Sequence, residues 1–223
     1  MNAIILSAVW GIIMMYSGIF FKYKSGITKL AIFGILLLII SNWMELSGVS
    51  FIAPDLHGML LFTTFGYVFN IVAFFSTLIY FLLSGDDIVE VGKNPAEYYA
   101  LIFFVLCGIS IVSSFDNLLM LFIGIEIVSI PLYILAGSDK KNLKSNEASL
   151  KYFLMGSFST GIMLMGIALL YGSAGSFALS ALGFGVGTLS PIMALGLVLL
   201  LVSLGFKASA APFHFWTPDV YDG

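Results

Sequence analysis

Read along the chain, long apolar runs alternate with short polar breaks. The runs fall at about 3–21, 30–43, 59–83, 97–114, 117–136, 148–171 and 188–214. Between them lie "KYKSGITK" (22–29), "NWMELSGVSFIAPDLHG" (42–58), "SGDDIVEVGKNPAEYY" (84–99), a tight turn at Asp116–Asn117, "GSDKKNLKSNE" (137–147) and a Gly/Ser/Ala-rich segment over 172–187. Most of the runs approach the roughly 20 residues that a helix needs to cross a bilayer, and all exceed the length of a barrel strand. The pattern predicts an all-α polytopic membrane protein with about seven transmembrane helices. The second run is short and its limits are loose. The 172–187 segment predicts a short lateral or re-entrant piece.

Composition strengthens this picture. Of the 223 residues, 60% are hydrophobic and 9% are charged, which no soluble domain of this size could bury. The 23 glycines suit close helix contacts in lipid. The N-terminal run lacks a basic leader and a small-residue cleavage site, so it reads as a retained first span. The single cysteine, Cys107, lies in an apolar run and reads as a small hydrophobe. With no CxxC and no His/Cys cluster, neither a metal nor an iron–sulfur site is indicated. No basic patch with interleaved aromatics exists, which excludes nucleic acid as a partner. The glycines of "GFGVG" (183–187) sit among small apolar residues and do not make a phosphate loop.

Charge then sets sidedness. Lys22, Lys24, Lys29, Lys93, Lys140, Lys141 and Lys144 all fall in alternate breaks, and the opposite breaks hold no lysine. The positive-inside rule places that face inward and the N-terminus outside.

Three ionisable residues do not belong to breaks. Glu126 lies near the middle of the fifth run, where an unpaired carboxylate is costly. It reads as a titrating, functional group or as a neutral acid bonding a neighbouring helix. Lys151 lies about one turn inside the sixth run; it either snorkels to the headgroups or faces Glu126, with a depth offset of about 5–8 Å at 1.5 Å per residue. Lys207 stands in "LGFKASAAPFHFW", where Pro212 interrupts the seventh run. A helix broken there leaves backbone groups to be satisfied, which is tolerated beside protein or a wet cavity. A straight helix would instead put Lys207 close enough to the inner surface to snorkel. Pro131 follows Glu126 as Pro212 follows Lys207. His214 is either a proton relay or an interfacial histidine packed among aromatics. Glu45, Asp55, Asp86, Asp87 and Glu90 read as solvated loop charges, His57 carries little signal, and Asp116–Asn117 reads as a turn and helix cap.

Three stretches carry a family likeness: "LLMLFIGIEIVSIPLYILAG" (118–137), "EASLKYFLMGSFSTGIMLMGIALLYG" (147–172) and "FKASAAPFHFWTPDVYDG" (206–223). They resemble the subunit N family of NADH-quinone oxidoreductase, respiratory complex I, which belongs with the antiporter-like subunits and the cation/proton antiporters. The ending "FHFWTPDVYDG" is similar to subunit N rather than to its L and M relatives. Residues 1–117 match in layout alone.

The resemblance implies three leading helices over 1–96 and an incomplete first antiporter-like five-helix repeat over 97–223, with a proline-broken helix. It implies proton translocation through Glu126, Lys151 and Lys207, with His214 as a possible relay. It implies a structural part for Asp219 and Tyr221. No cofactor is expected on this chain. NAD, FMN, iron–sulfur clusters and quinone belong to the parent complex, in which this would be a non-redox subunit. Partners implied are the other membrane subunits of complex I, lipid, protons and internal water. The location implied is a bacterial plasma (inner) membrane ahead of a thylakoid or mitochondrial inner membrane. The sequence stops where the family continues toward its eighth helix, so residues 1–223 alone are not expected to pump. A cation/proton antiporter subunit and a purely structural membrane subunit remain the competing functions.

Overall fold

The computed structural model describes residues 1–20, 24–49, 58–84, 95–182 and 190–222. Lys22, His57, Asp55, Asp86, Asp87, Glu90, Lys93 and the "GFGVG" stretch lie outside them. Among the described residues the structure is helical, with no named strand. The helices are α1 (Asn2–Phe20), α2 (Lys24–Leu46), α3 (Thr64–Leu83), α4 (Pro95–Val112), α5 (Leu118–Ala136), α6 (Leu143–Ala174), α7 (Pro191–Lys207) and α8 (Thr217–Asp222), with a 3-10 turn at Leu179–Leu182. The first six are long and apolar enough to cross a membrane, and α7, at 17 residues, is a shorter apolar helix. The chain is thus an integral membrane protein, with seven apolar helices among the described residues.

Local chemistry sets the helix ends. Thr63, Asn117, Asn142 and Ser190 each accept a hydrogen bond from a backbone N–H of the following first turn, the N-cap arrangement. The cap expected at Asp116–Asn117 is Asn117, whose side chain accepts from the Leu119 N–H at 2.8 Å. Gly175 closes α6 at φ 69°, the left-handed region that favours glycine.

Three lengths differ from the hydropathy pattern. α2 begins at Lys24, ahead of the apolar run, because the polar residues before that run continue the helix. α6 runs for 32 residues, since its polar first turns, "LKSNEASLK", continue the helix beyond the apolar stretch. The seventh run does not extend to 214: α7 stops at Lys207.

Neighbours in sequence pack as antiparallel pairs, and α4 also packs along α1. Two apolar clusters result. One joins α1 to α4 around Met14, Ile35, Leu38, Phe74, Phe81, Tyr99 and Phe103. The other joins α5, α6 and α7 around Leu118, Met163, Ile167, Leu170 and Leu200. α6 and α7 approach so closely that a Cβ on Gly166 would lie 2.9 Å from the Gly196 carbonyl oxygen. Ser203 donates to the Ser159 carbonyl at 2.8 Å across the same contact, a polar stitch typical of helices in lipid.

One charge sits against expectation. Glu45 is not a solvated loop residue: it ends the buried face of α2, 2.6 Å from the Met1 ammonium and 2.9 Å from the Asn2 N–H. Helix pairing brings the start of α1 beside the end of α2, which the order of charges along the chain does not show.

Candidate functional site

Glu126 is the ninth of nineteen residues in α5, midway through the helix as its apolar flanks require. Lys207 is the last residue of α7. The helix stops there because a Schellman motif closes it: Ala210 N–H donates to the Gly205 carbonyl at 2.8 Å and Ser209 N–H to the Phe206 carbonyl at 3.1 Å. Ser209 takes the left-handed conformation, φ 54°, in place of the usual glycine. The break therefore begins before Pro212, which lies in the following turns. A lysine in a last helical turn also meets the partial negative charge of the carbonyl end.

From this position Lys207 reaches back to α5. Its ammonium donates to Glu126 Oε1 at 3.3 Å, to Ser129 Oγ at 3.0 Å and to the Tyr133 hydroxyl at 3.0 Å. These three acceptors follow one another along one side of α5, so a single side chain bonds all of them. The Tyr133 ring also faces the ammonium, 5.7 Å from its centroid. The side chains of Lys207 and Glu126 are 15% and 22% exposed, and a cavity of about 280 Å³ opens beside Lys207, lined mostly by apolar residues of α3, α4 and α5. From α6, Thr160 donates to Glu126 Oε1 at 2.7 Å.

Lys151 does not face Glu126. It pairs with Glu147 at 2.7 Å and Asp219 at 2.8 Å, 43% exposed, at the rim. The register of α5 against α6 is the cause. Thr160 stands level with Glu126, while the Ser149 hydroxyl donates to the Tyr133 carbonyl at 2.8 Å. Lys151 is nine residues before Thr160, about 13–14 Å along the helix. Asp219 belongs to α8, which docks on the first turns of α6 through this pair and through Lys144–Asp222 at 3.0 Å. Trp216 stacks on Tyr152, 5.0 Å between centroids, and Tyr152 meets Tyr133 edge to face at 4.7 Å. The broken segment is thus tied by aromatic contacts to the residue that holds Lys207. His214 is exposed in the turns, and its carbonyl accepts from Thr217 N–H at 3.1 Å. Its ring makes no hydrogen bond among the described residues.

Of the residues singled out in the sequence, the structure brings Glu126 and Lys207 together and leaves Lys151 and His214 apart from them. Ser129, Tyr133 and Thr160 were missed. The available signal was spacing: Ser129 and Tyr133 recur at three and seven residues after Glu126, on the face that carboxylate defines.

The site is thus an ammonium and a carboxylate held among hydroxyls between apolar helices, at the end of a broken helix. Residues 115–223 match the family model described as "NADH:quinone oxidoreductase/Mrp antiporter, TM", and the whole chain is similar to subunit N of NADH-quinone oxidoreductase. Over its whole length it is 44% identical to NADH-quinone oxidoreductase subunit N of Cytophaga hutchinsonii, of which it covers 48%, and 38% identical to that of Flavobacterium psychrophilum, of which it covers 49%. It also superposes on a chain of respiratory complex I from Thermus thermophilus with bound aureothin: TM-score 0.80, 32% identity, covering 99% of this chain and 47% of that one. A chain of the Mrp complex from Dietzia sp. shares the fold, with a TM-score of 0.77 at 19% identity over 99% of this chain and 43% of that one. The chain spans about half the length of the curated relatives it matches.

Proposed function

We propose that this chain is part of a proton-translocating membrane subunit of an NADH–quinone oxidoreductase, and that the Glu126–Lys207 pair is its proton-exchanging centre. The observation that carries this is the pair itself. Removing two charges from water costs several kcal/mol per ion, and replacing such a pair by apolar groups is often neutral or stabilising. A pair placed inside an apolar helix bundle is therefore a site for charge movement by default.

The ammonium and the carboxylate attract one another across 3.3 Å, and any increase in their separation weakens that attraction. Lys207 is suited to such movement because it hangs from the last turn before a non-helical segment. Lys151, on the rim between Glu147 and Asp219, serves as the surface-side group of the route, and His214 as an exposed group in the turns.

Nicotinamide, flavin, iron–sulfur and quinone chemistry belongs to other subunits in this reading; a single cysteine cannot ligate a cluster that needs several thiolates. The membrane is a bacterial inner membrane with the lysine-bearing end facing inward, and the neighbours are other membrane subunits.

The test is Glu126→Gln in the full-length subunit within its assembled complex, reconstituted in liposomes. Quinone reduction should persist while proton uptake per electron falls. Unchanged proton uptake in assembled Glu126→Gln complexes would refute the role of the pair. Sodium dependence of the same signal would assign cation exchange instead.

A further inference from the structure

Hydrogen-bond inventory around Lys207 separates its three partners. An ammonium has three N–H donors and no acceptor, and all three are used, on Glu126, Ser129 and Tyr133. At alkaline pH, loss of a proton to hydroxide of the bulk solvent gives water and a neutral amine, which keeps two N–H donors and gains a lone pair. Buried, that lone pair needs a donor. The Glu126 carboxylate has no hydrogen to offer. The Ser129 hydroxyl hydrogen is engaged by the Ile125 carbonyl at 2.8 Å. The Tyr133 hydroxyl hydrogen has no acceptor among the described residues.

From this we infer that Tyr133 is a positioning residue for proton exchange at Lys207: its hydroxyl accepts from the ammonium and, by turning its O–H bond, donates to the amine. The inference rests on the proton-translocating reading of the Glu126–Lys207 pair. Neither form of the lysine is then left with an unpartnered buried group. Among the described residues, the ionisable side chains presented to Lys207 by the neighbouring helices are Glu126 and Tyr133 of α5 and Tyr152 of α6.

Gly156 of α6 makes the position available. A Cβ there would fall on the Tyr133 hydroxyl and 2.6 Å from its ring carbon Cζ. Tyr152 and Phe153 fix the ring edge to face, at 4.7 and 5.9 Å between centroids. The ring is held while the hydroxyl hydrogen stays free to turn. A Gly156→Ala change keeps the phenol and moves it; Tyr133→Phe keeps the ring and removes the oxygen.

The experiment is infrared difference spectroscopy across an alkaline pH step on the full-length subunit in its assembled complex, with isotopically ring-labelled tyrosine. A labelled phenol C–O band should shift as the hydroxyl turns from acceptor to donor, and should vanish in Tyr133→Phe, Gly156→Ala and Lys207→Met. Proton uptake per assembled complex should fall about tenfold in Tyr133→Phe, as loss of a hydrogen bond to a charged group implies. A band that survives in Lys207→Met overturns the inference, as does wild-type uptake in Tyr133→Phe. If Tyr133→Phe does not assemble, Gly156→Ala decides by the same two readings. The infrared signal reports the state of Lys207 and not pumping, so its absence leaves the Glu126→Gln result intact, and a failed Glu126→Gln test leaves the signal readable.

Discussion

The two halves of the bundle solve the problem of an interior in opposite ways. The α1–α4 region fills its centre with large side chains, among them Phe74, Phe81, Tyr99 and Phe103, all essentially unexposed. One of its ionic contacts, Glu45 with the Met1 ammonium, stands at one end of the helices and closes on a backbone N–H as well. The α5–α7 region has a sparser cluster of Leu, Ile and Met, glycine contacts, and serine stitches. Its ion pair stands midway, among the hydroxyls of Ser129, Tyr133 and Thr160. A charge bonded to fixed backbone has one arrangement. A charge bonded to rotatable hydroxyls has several, because a hydroxyl can donate or accept. Stability is concentrated in the first region and chemical versatility in the second.

Substitutions can break that division, beginning with the largest effect. Lys207→Met leaves the Glu126 carboxylate without its counter-charge. Proton uptake per assembled complex should fall about tenfold or more, measured in liposomes with a pH-sensitive dye. Phe103→Ala should cost about 3–5 kcal/mol of stability, read as earlier thermal unfolding, with uptake per surviving complex unchanged. If uptake falls in proportion to Lys207→Met, the first region is part of the chemistry and the division fails. Gly166→Ala pushes its Cβ toward the Gly196 carbonyl and should cost about 1–3 kcal/mol, with uptake lowered through the shift of α7. Asp219→Asn removes one partner of a lysine that is 43% exposed; the stability change should stay within about 1 kcal/mol. A large loss of uptake in that variant would extend the working region to the rim.

The number of apolar helices, the mid-helix depth of Glu126 and the interruption after Lys207 were legible in the sequence, because each is a matter of spacing along one chain. Pairing was not. Glu126 meets Lys207 rather than Lys151 because of how α5 is set against α6 and α7, and helices that are apolar all round carry little pattern that fixes such a register. Glu45 was misread for the same reason: its burial depends on the first residues of α1, forty-odd positions away. Ser129, Tyr133 and Thr160 were hidden by residue type, since a hydroxyl on an apolar helix is ordinarily satisfied by its own carbonyls. The end of α7 was attributed to Pro212, whereas the backbone closes at Ser209 through hydrogen bonds that no single residue type announces.

The stitch between Ser159 and Ser203 has a mechanical consequence. It anchors α7 to α6 four residues before Lys207, and the Gly166–Gly196 contact anchors it again higher up. The lever beyond the last anchor is one helical turn, about 6 Å long. α7 cannot slide as a piston without breaking both anchors. Any stroke that separates Lys207 from Glu126 is therefore short, made by the final turn and the side chain, with the turns at 208–216 as the bearing on which it moves.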